Sequence, residues 1–180
     1  MSEQQTLNPF ELLSRLSEAG ERHALPLPDE HTLDESWRGI GFRLGGQRYV
    51  APMMEVDEVL TMPTYTKVPG VKRWLNGIAN IRGRLLAVVD LGAMLGLQPC
   101  AGSAKARLLS IKKGDLYSGV IVDEVLGLQT FASQDEVMPE VDIAEANAFI
   151  VTAFERDGES WSVFSLHALA DSSDFLNVTA

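Results

Sequence analysis

The chain has 180 residues, 46% of them hydrophobic and 22% charged, with a net charge of −10 at pH 7 and a single cysteine. That length fits one ordinary domain or two small lobes sharing a core, and the apolar share excludes global disorder. No apolar run reaches the eighteen or so residues that span a bilayer, the N-terminus lacks the basic start and apolar stretch of a signal peptide, and the acidity opposes nucleic acid or anionic membrane as main partners.

The sequence therefore reads as a cytoplasmic protein without direct membrane insertion. Cys100 has no partner for an internal disulfide. With His23, His31 and His167 scattered, no four-ligand zinc site assembles, so neither metal nor cofactor is expected. Charge is uneven along the chain: −6 over residues 1–36, +4 over 37–96, −1 over 97–136 and −7 over 137–180. The positive stretch is a candidate docking face for an acidic partner.

Asn8-Pro9-Phe10-Glu11 reads as a helix start, with Asn8 as N-cap and Pro9 where its missing N–H costs nothing. Phe10, Leu13 and Leu16 follow at helical spacing, Gly20 stops the helix, and an acidic, proline-marked linker runs to Ser36. From Trp37 the period becomes that of short strands. Four hairpins are predicted, turning at Gly45-Gly46, Arg82-Gly83, Lys113-Gly114-Asp115 and Asp157-Gly158. Between them, Val71 to Leu75 follows the Pro69-Gly70 break as one helical turn.

An internal repeat organises these elements. Val56-Asp57-Glu58-Val59-Leu60 recurs letter for letter as Val122-Asp123-Glu124-Val125-Leu126, each copy following a hairpin. Val88-Val89-Asp90-Leu91 and Val163-Phe164-Ser165-Leu166 form a second collinear pair, each a strand running into a short helix. Duplication predicts two similar β-lobes, about 37–96 and 97–165, followed by a C-terminal helix over about 166–176.

Catalytic motifs are missing from this inventory: there is no nucleophile elbow, Walker A loop or dinucleotide fingerprint. Ser165, His167 and Asp171 do not converge on one helix face, so a triad is not expected and His167 reads as a structural residue. Cys100 reads as an inert loop thiol. Glu58 and Glu124, one from each repeat, leave open a small hydrolase with interlobe carboxylates. Against it stands the stretch Val68 to Leu91, in which Asn80 and Arg82 occupy a hairpin tip and Gly77 permits close backbone approach.

This stretch resembles the signature of the CheW-like coupling-protein family in Gly77-Ile78-Ala79-Asn80-Ile81-Arg82-Gly83 and Val88-Val89-Asp90-Leu91. The resemblance continues in Gly119-Val120-Ile121-Val122-Asp123-Glu124-Val125 and covers about residues 37–170, within a domain drawn at 37–176. It departs from the family pattern at Ala87, where proline is usual, and at Glu124, where glycine is common. The implied fold is mostly β, two small SH3-like five-stranded barrels packed together. The implied function is a non-enzymatic scaffold in two-component signal transduction, joining the cytoplasmic tip of a methyl-accepting chemoreceptor to a CheA-type histidine kinase. Implied partner-binding residues are Val56, Glu58, Val59, Gly77, Asn80, Arg82, Gly83, Gly119 and Val125. Recruitment to membrane-associated receptor arrays follows, with self or array assembly as a further option. Within the family the likeness is greatest to the member serving type IV pilus twitching motility, with flagellar chemotaxis as the alternative output.

Overall fold

The computed structural model describes Phe10, Leu13 and residues 36–139 and 143–179. The chain divides into two units, Met1–Asp34 and Glu35–Ala180. Of the first, Phe10 and Leu13 are helical and exposed; the rest of the expected helix and the acidic linker lie outside the described residues.

The second unit holds twelve strands among its described residues: β1 Ser36–Leu44, β2 Gln47–Pro52, β3 Glu58–Thr61, β4 Tyr65–Thr66, β5 Leu75–Ile81, β6 Arg84–Asp90, β7 Arg107–Lys113, β8 Leu116–Val122, β9 Glu124–Ala132, β10 Glu136–Val137, β11 Ile150–Arg156 and β12 Glu159–Phe164. All four predicted hairpins form, with positive φ at Gly45 and Gly46, Arg82 and Gly83, Gly114, and Asp157 and Gly158. Two-residue loops of this hand match the twist of the strands they join. The predicted helical turn at Val71–Leu75 is instead a tight turn, Leu75 N donating to Lys72 O at 3.0 Å. Val71 bridges to Thr179, and Lys72 N donates to Val178 O, which holds that segment extended.

The strands make two six-stranded sheets, ordered β10-β11-β12-β2-β1-β9 and β4-β5-β6-β8-β7-β3. Each sheet contains one parallel pair at its centre, β12 with β2 and β6 with β8, among otherwise antiparallel neighbours. The two orders are therefore the same pattern written twice. The sixth strand, beyond the five expected, is in each case a two-residue edge piece, β4 or β10.

The lobes do not follow the predicted division at residue 96. Hairpin β1–β2 pairs with β9–β12, and hairpin β7–β8 pairs with β3–β6, so each repeat places its leading hairpin in the sheet built from the other repeat. The two copies of Val-Asp-Glu-Val-Leu are the crossovers. Asp57 N donates to Ser110 O at 2.9 Å and Asp123 N to Arg43 O at 3.1 Å, and each following glutamate enters the partner sheet's edge strand opposite the same residue. Extended, valine-rich sequence with no glycine or proline carries the chain from one sheet to the next instead of folding it back.

Alternation along the strands explains the core. On β2, Tyr49 and Ala51 point into a large core shared by both sheets, while Val50 joins Phe131, Phe154, Trp161 and Val163 in an aromatic core on the other face of the first sheet. Both repeats end alike, in a strand followed by a short helix. Asp90 accepts from Ala93 N at the helix Leu91–Met94, and Ser165 from Ala168 N at the helix Leu166–Asp171. The C-terminal helix expected over 166–176 is broken in two. Ser172 adopts extended φ and ψ, accepts from Phe175 N and begins a second helix, Ser173–Leu176, whose Phe175 stacks on Trp74.

Candidate adaptor surface

In the second sheet, β3 is one edge and β5 stands four strands away, a distance of about 19 Å in a flat sheet at the usual spacing. Yet Arg82 Nη1, at the β5–β6 tip, donates to Glu58 Oε1 on β3 at 2.6 Å. The sheet must curl for this contact to exist, and the ion pair spans its open side. The tip is shaped by its own sequence. Asn80 Oδ1 accepts from Gly83 N at 2.8 Å, fixing the loop, and Gly83 supplies a positive φ of 85°. Arg82 itself sits at φ 52°, uncommon for a residue with a side chain.

The first sheet has a counterpart to this closure, and the comparison is informative. There the arginine is Arg156, at the base of the β11–β12 tip. It donates to Gln129 Oε1 at 2.6 Å and to Thr130 O on edge strand β9, and its guanidinium lies over the rings of Phe131 and Trp161. Arg156 is a structural lock. Arg82 performs the same closure with its side chain 76% exposed, using one of its two terminal nitrogens and leaving the remaining donors to solvent.

The other residues singled out in the sequence divide into three groups. Glu58, Asn80, Arg82 and Gly83 converge at the tip, beside exposed Leu85, which faces Asn80 in register. Val59 and Val125, equivalent residues of the two repeats, line one shallow depression of about 300 Å³ with Lys105, Arg107, Glu124 and Gly127. Glu124 is held there by Lys105 at 3.1 Å and Arg43 at 3.7 Å. Val56 packs half-buried on the shared core just before this region.

Gly77 and Gly119 stand apart from a contact role. A side chain at Gly77 would meet Thr66 O at 2.2 Å, and one at Gly119 would meet Leu108 at 2.4 Å inside the core. Gly119 is buried on β8, so it offers a partner no surface, and its small size serves strand packing.

Residues with chemical potential are engaged structurally. Asp90, 1% exposed, accepts from Ala93 N, Cys100 N and Ala101 N, tying the β6 end to the loop after the first short helix. Glu55 accepts from Ser165 Oγ and His167 N, so the turn Met53–Glu55, which has no counterpart between β8 and β9, anchors on the second repeat's helix. Asp171 pairs with Lys113. Ser165, His167 and Asp171 thus engage Glu55 and Lys113 and form no triad with one another. Cys100 is buried at the start of the short turn Cys100–Gly102; burial, with the carboxylates of Asp90 and Asp123 nearby, pushes its thiol well above the ordinary value of 9.0. Sequence reasoning named Asp90 only as part of a motif and missed Glu55, because a capping carboxylate more than a hundred residues away in sequence leaves no local signal.

Three comparisons bear on this architecture. The scaffolding protein TtCheW from Thermoanaerobacter tengcongensis superposes with a TM-score of 0.67 over 77% of this chain and 94% of its own, at 24% identity, which shows the fold. Protein PilI of Pseudomonas aeruginosa is 44% identical over 180 residues, 99% of each chain. The chemotaxis protein CheW of Bacillus subtilis is 26% identical over 133 residues, 73% of this chain and 85% of the relative. Residues 38–174, nearly all of the two-sheet unit, match the CheW-like domain, and the chain belongs to the CheW-like family of scaffold and coupling proteins.

Proposed function

We propose that this protein couples a methyl-accepting chemoreceptor to a CheA-type histidine kinase in the pathway that controls type IV pilus twitching motility, without catalytic activity of its own. The observation that carries the reading is the asymmetry of the two closures. Where Arg156 is spent on aromatic rings and backbone, Arg82 is presented outward on a strained, side-chain-fixed tip. Glu58 orients the guanidinium, Asn80 and Gly83 set the loop, and Val59, next to Glu58 in β3, lines an apolar-edged depression with Val125. A receptor tip is a long helical hairpin, and a helix laid across this surface would meet apolar residues with an arginine fixing its register. Identity of 44% to PilI along the whole chain supports the pilus output over flagellar chemotaxis.

Arg82→Asp tests the surface. An exposed ion pair contributes at most about 1 kcal/mol, so the variant should melt within a few degrees of wild type. Its capture of purified receptor tip or kinase in a pull-down should disappear. Retained capture by a folded variant would show that the partner lies elsewhere. Deletion followed by separate twitching and swarming assays assigns the output: loss of twitching alone is expected.

A further inference from the structure

The exchanged hairpins redistribute charge in a way that the linear sequence conceals. Residues 58–122, which form the whole second sheet, carry nine basic and three acidic side chains; the remainder of the two-sheet unit, 36–57 and 123–180, carries four basic and fourteen acidic. Within the basic sheet, Glu58 is paired with Arg82 and Asp90 accepts from backbone N–H groups, and Glu124 and Asp171 of the remainder pair with Lys105 and Lys113, which leaves Asp115 as the one further acid of the sheet beside Lys67, Lys72, Arg73, Arg84, Arg107 and Lys112.

Parallel pairing of β6 with β8 places the β5–β6 and β7–β8 tips side by side at one end of this sheet. Lys112 faces Tyr117 across β7–β8, and the Arg84 guanidinium lies over the same Tyr117 ring at 4.1 Å. The result is a row, Lys112, Tyr117, Arg84, on one face of the sheet and continuing to Arg82 at the tip, with Leu85 on the opposite face of β6. Among the described residues neither Arg84 nor Lys112 has a carboxylate partner.

We propose that these paired tips are a docking surface for an acidic protein segment, its carboxylates meeting Arg82, Arg84 and Lys112. Charge complementarity selects this occupant. A long polyanion such as nucleic acid would have to pass the strongly acidic remainder of the molecule, whereas a short acidic segment engages only the basic end. The surface extends the Arg82 site away from the Val59–Val125 depression, and it rests on the adaptor reading only in assigning the segment to a receptor or kinase.

The test has two arms. In the first, the isotopically labelled full chain is titrated with a synthetic peptide of alternating Glu-Glu-Leu triplets, and amide shifts are mapped. Shifts confined to residues 82–85 and 112–117, absent in the folded double variant Arg84→Glu/Lys112→Glu, are the expected result. Shifts that centre instead on Lys67, Lys72 and Arg73, or that persist in the variant, overturn the proposal. In the second arm, binding of purified receptor tip and kinase is measured from low to high salt. The double variant should lose about tenfold or more for one of them near 50 mM salt, with a flattened salt dependence, because screening weakens exposed charge contacts. A control, Lys67→Glu/Arg73→Glu, should stay within about twofold by the same screening argument. Equal binding of wild type and double variant to both proteins overturns the proposal. Wild type that binds the peptide at the tips but neither protein leaves the docking surface standing and refutes the adaptor function.

Discussion

Asp90 shows what a single buried carboxylate can organise. It ends β6, caps the following helix and holds the backbone at Cys100 and Ala101, all at 1% exposure. Asp90→Ala should cost roughly 3–5 kcal/mol in urea denaturation, since several amide groups lose their acceptor at once. Asp90→Asn, which keeps one acceptor oxygen, should cost less. Cys100 beside it is expected to resist thiol reagents until the protein unfolds. Its thiol ionises less readily folded than unfolded, so the unfolded chain loses its proton first as pH rises. Stability should therefore be unaffected by this group below pH 9.0 and decline above it, a fall that Cys100→Ala removes. Arg82 presents the opposite case, a residue ill-suited to its backbone. Asn tolerates positive φ better than Arg, so Arg82→Asn should melt at or slightly above wild type while losing partner binding, separating the tip's fold from its function.

At the scale of elements, the glycines at 77 and 83 have different jobs within one hairpin. Gly83 needs only its positive φ, with open space around it, and Gly83→Ala should cost about 1 kcal/mol. Gly77 combines positive φ with the close approach of Thr66 O, so Gly77→Ala should cost more, about 2–4 kcal/mol, and free β4 from β5 as read by amide exchange. The hairpins themselves were legible in the sequence because turn chemistry is local: Gly45-Gly46, Arg82-Gly83 and Asp157-Gly158 announce their conformations without help from the rest of the chain. The break at Ser172 was not, because a serine inside a helical pattern is ambiguous until packing of Phe175 on Trp74 decides it. The Arg82–Glu58 contact was similarly hidden. Both residues were singled out, but only sheet curvature shows that they touch.

At the scale of the molecule, the repeat was legible and the partition into lobes was not. Identical letters reveal that two segments adopt the same structure; they do not reveal whether a leading hairpin packs on its own repeat or on its neighbour's, which depends on the extended crossovers at Val56–Leu60 and Val122–Leu126. The exchange predicts cooperative behaviour. A fragment ending near residue 103 holds one hairpin without its sheet and one sheet without its hairpin, and should be unfolded by circular dichroism. Mixed with the complementary fragment it should regain the native amide spectrum, whereas independently folding halves would each give a dispersed spectrum alone.

The same wiring carries a statement about ancestry. A chain containing one repeat could not satisfy its own sheet, but two such chains could satisfy each other by trading hairpins about a two-fold axis, each Val-Asp-Glu-Val-Leu segment passing from one subunit to the other. Fusion of that dimer frees its halves to diverge. The closing arginine now lies half-buried over aromatic rings at the base of the tip in one half and exposed at the tip itself, one position further on, in the other, giving a single polypeptide two unlike sides where a symmetric dimer would have had two copies of one.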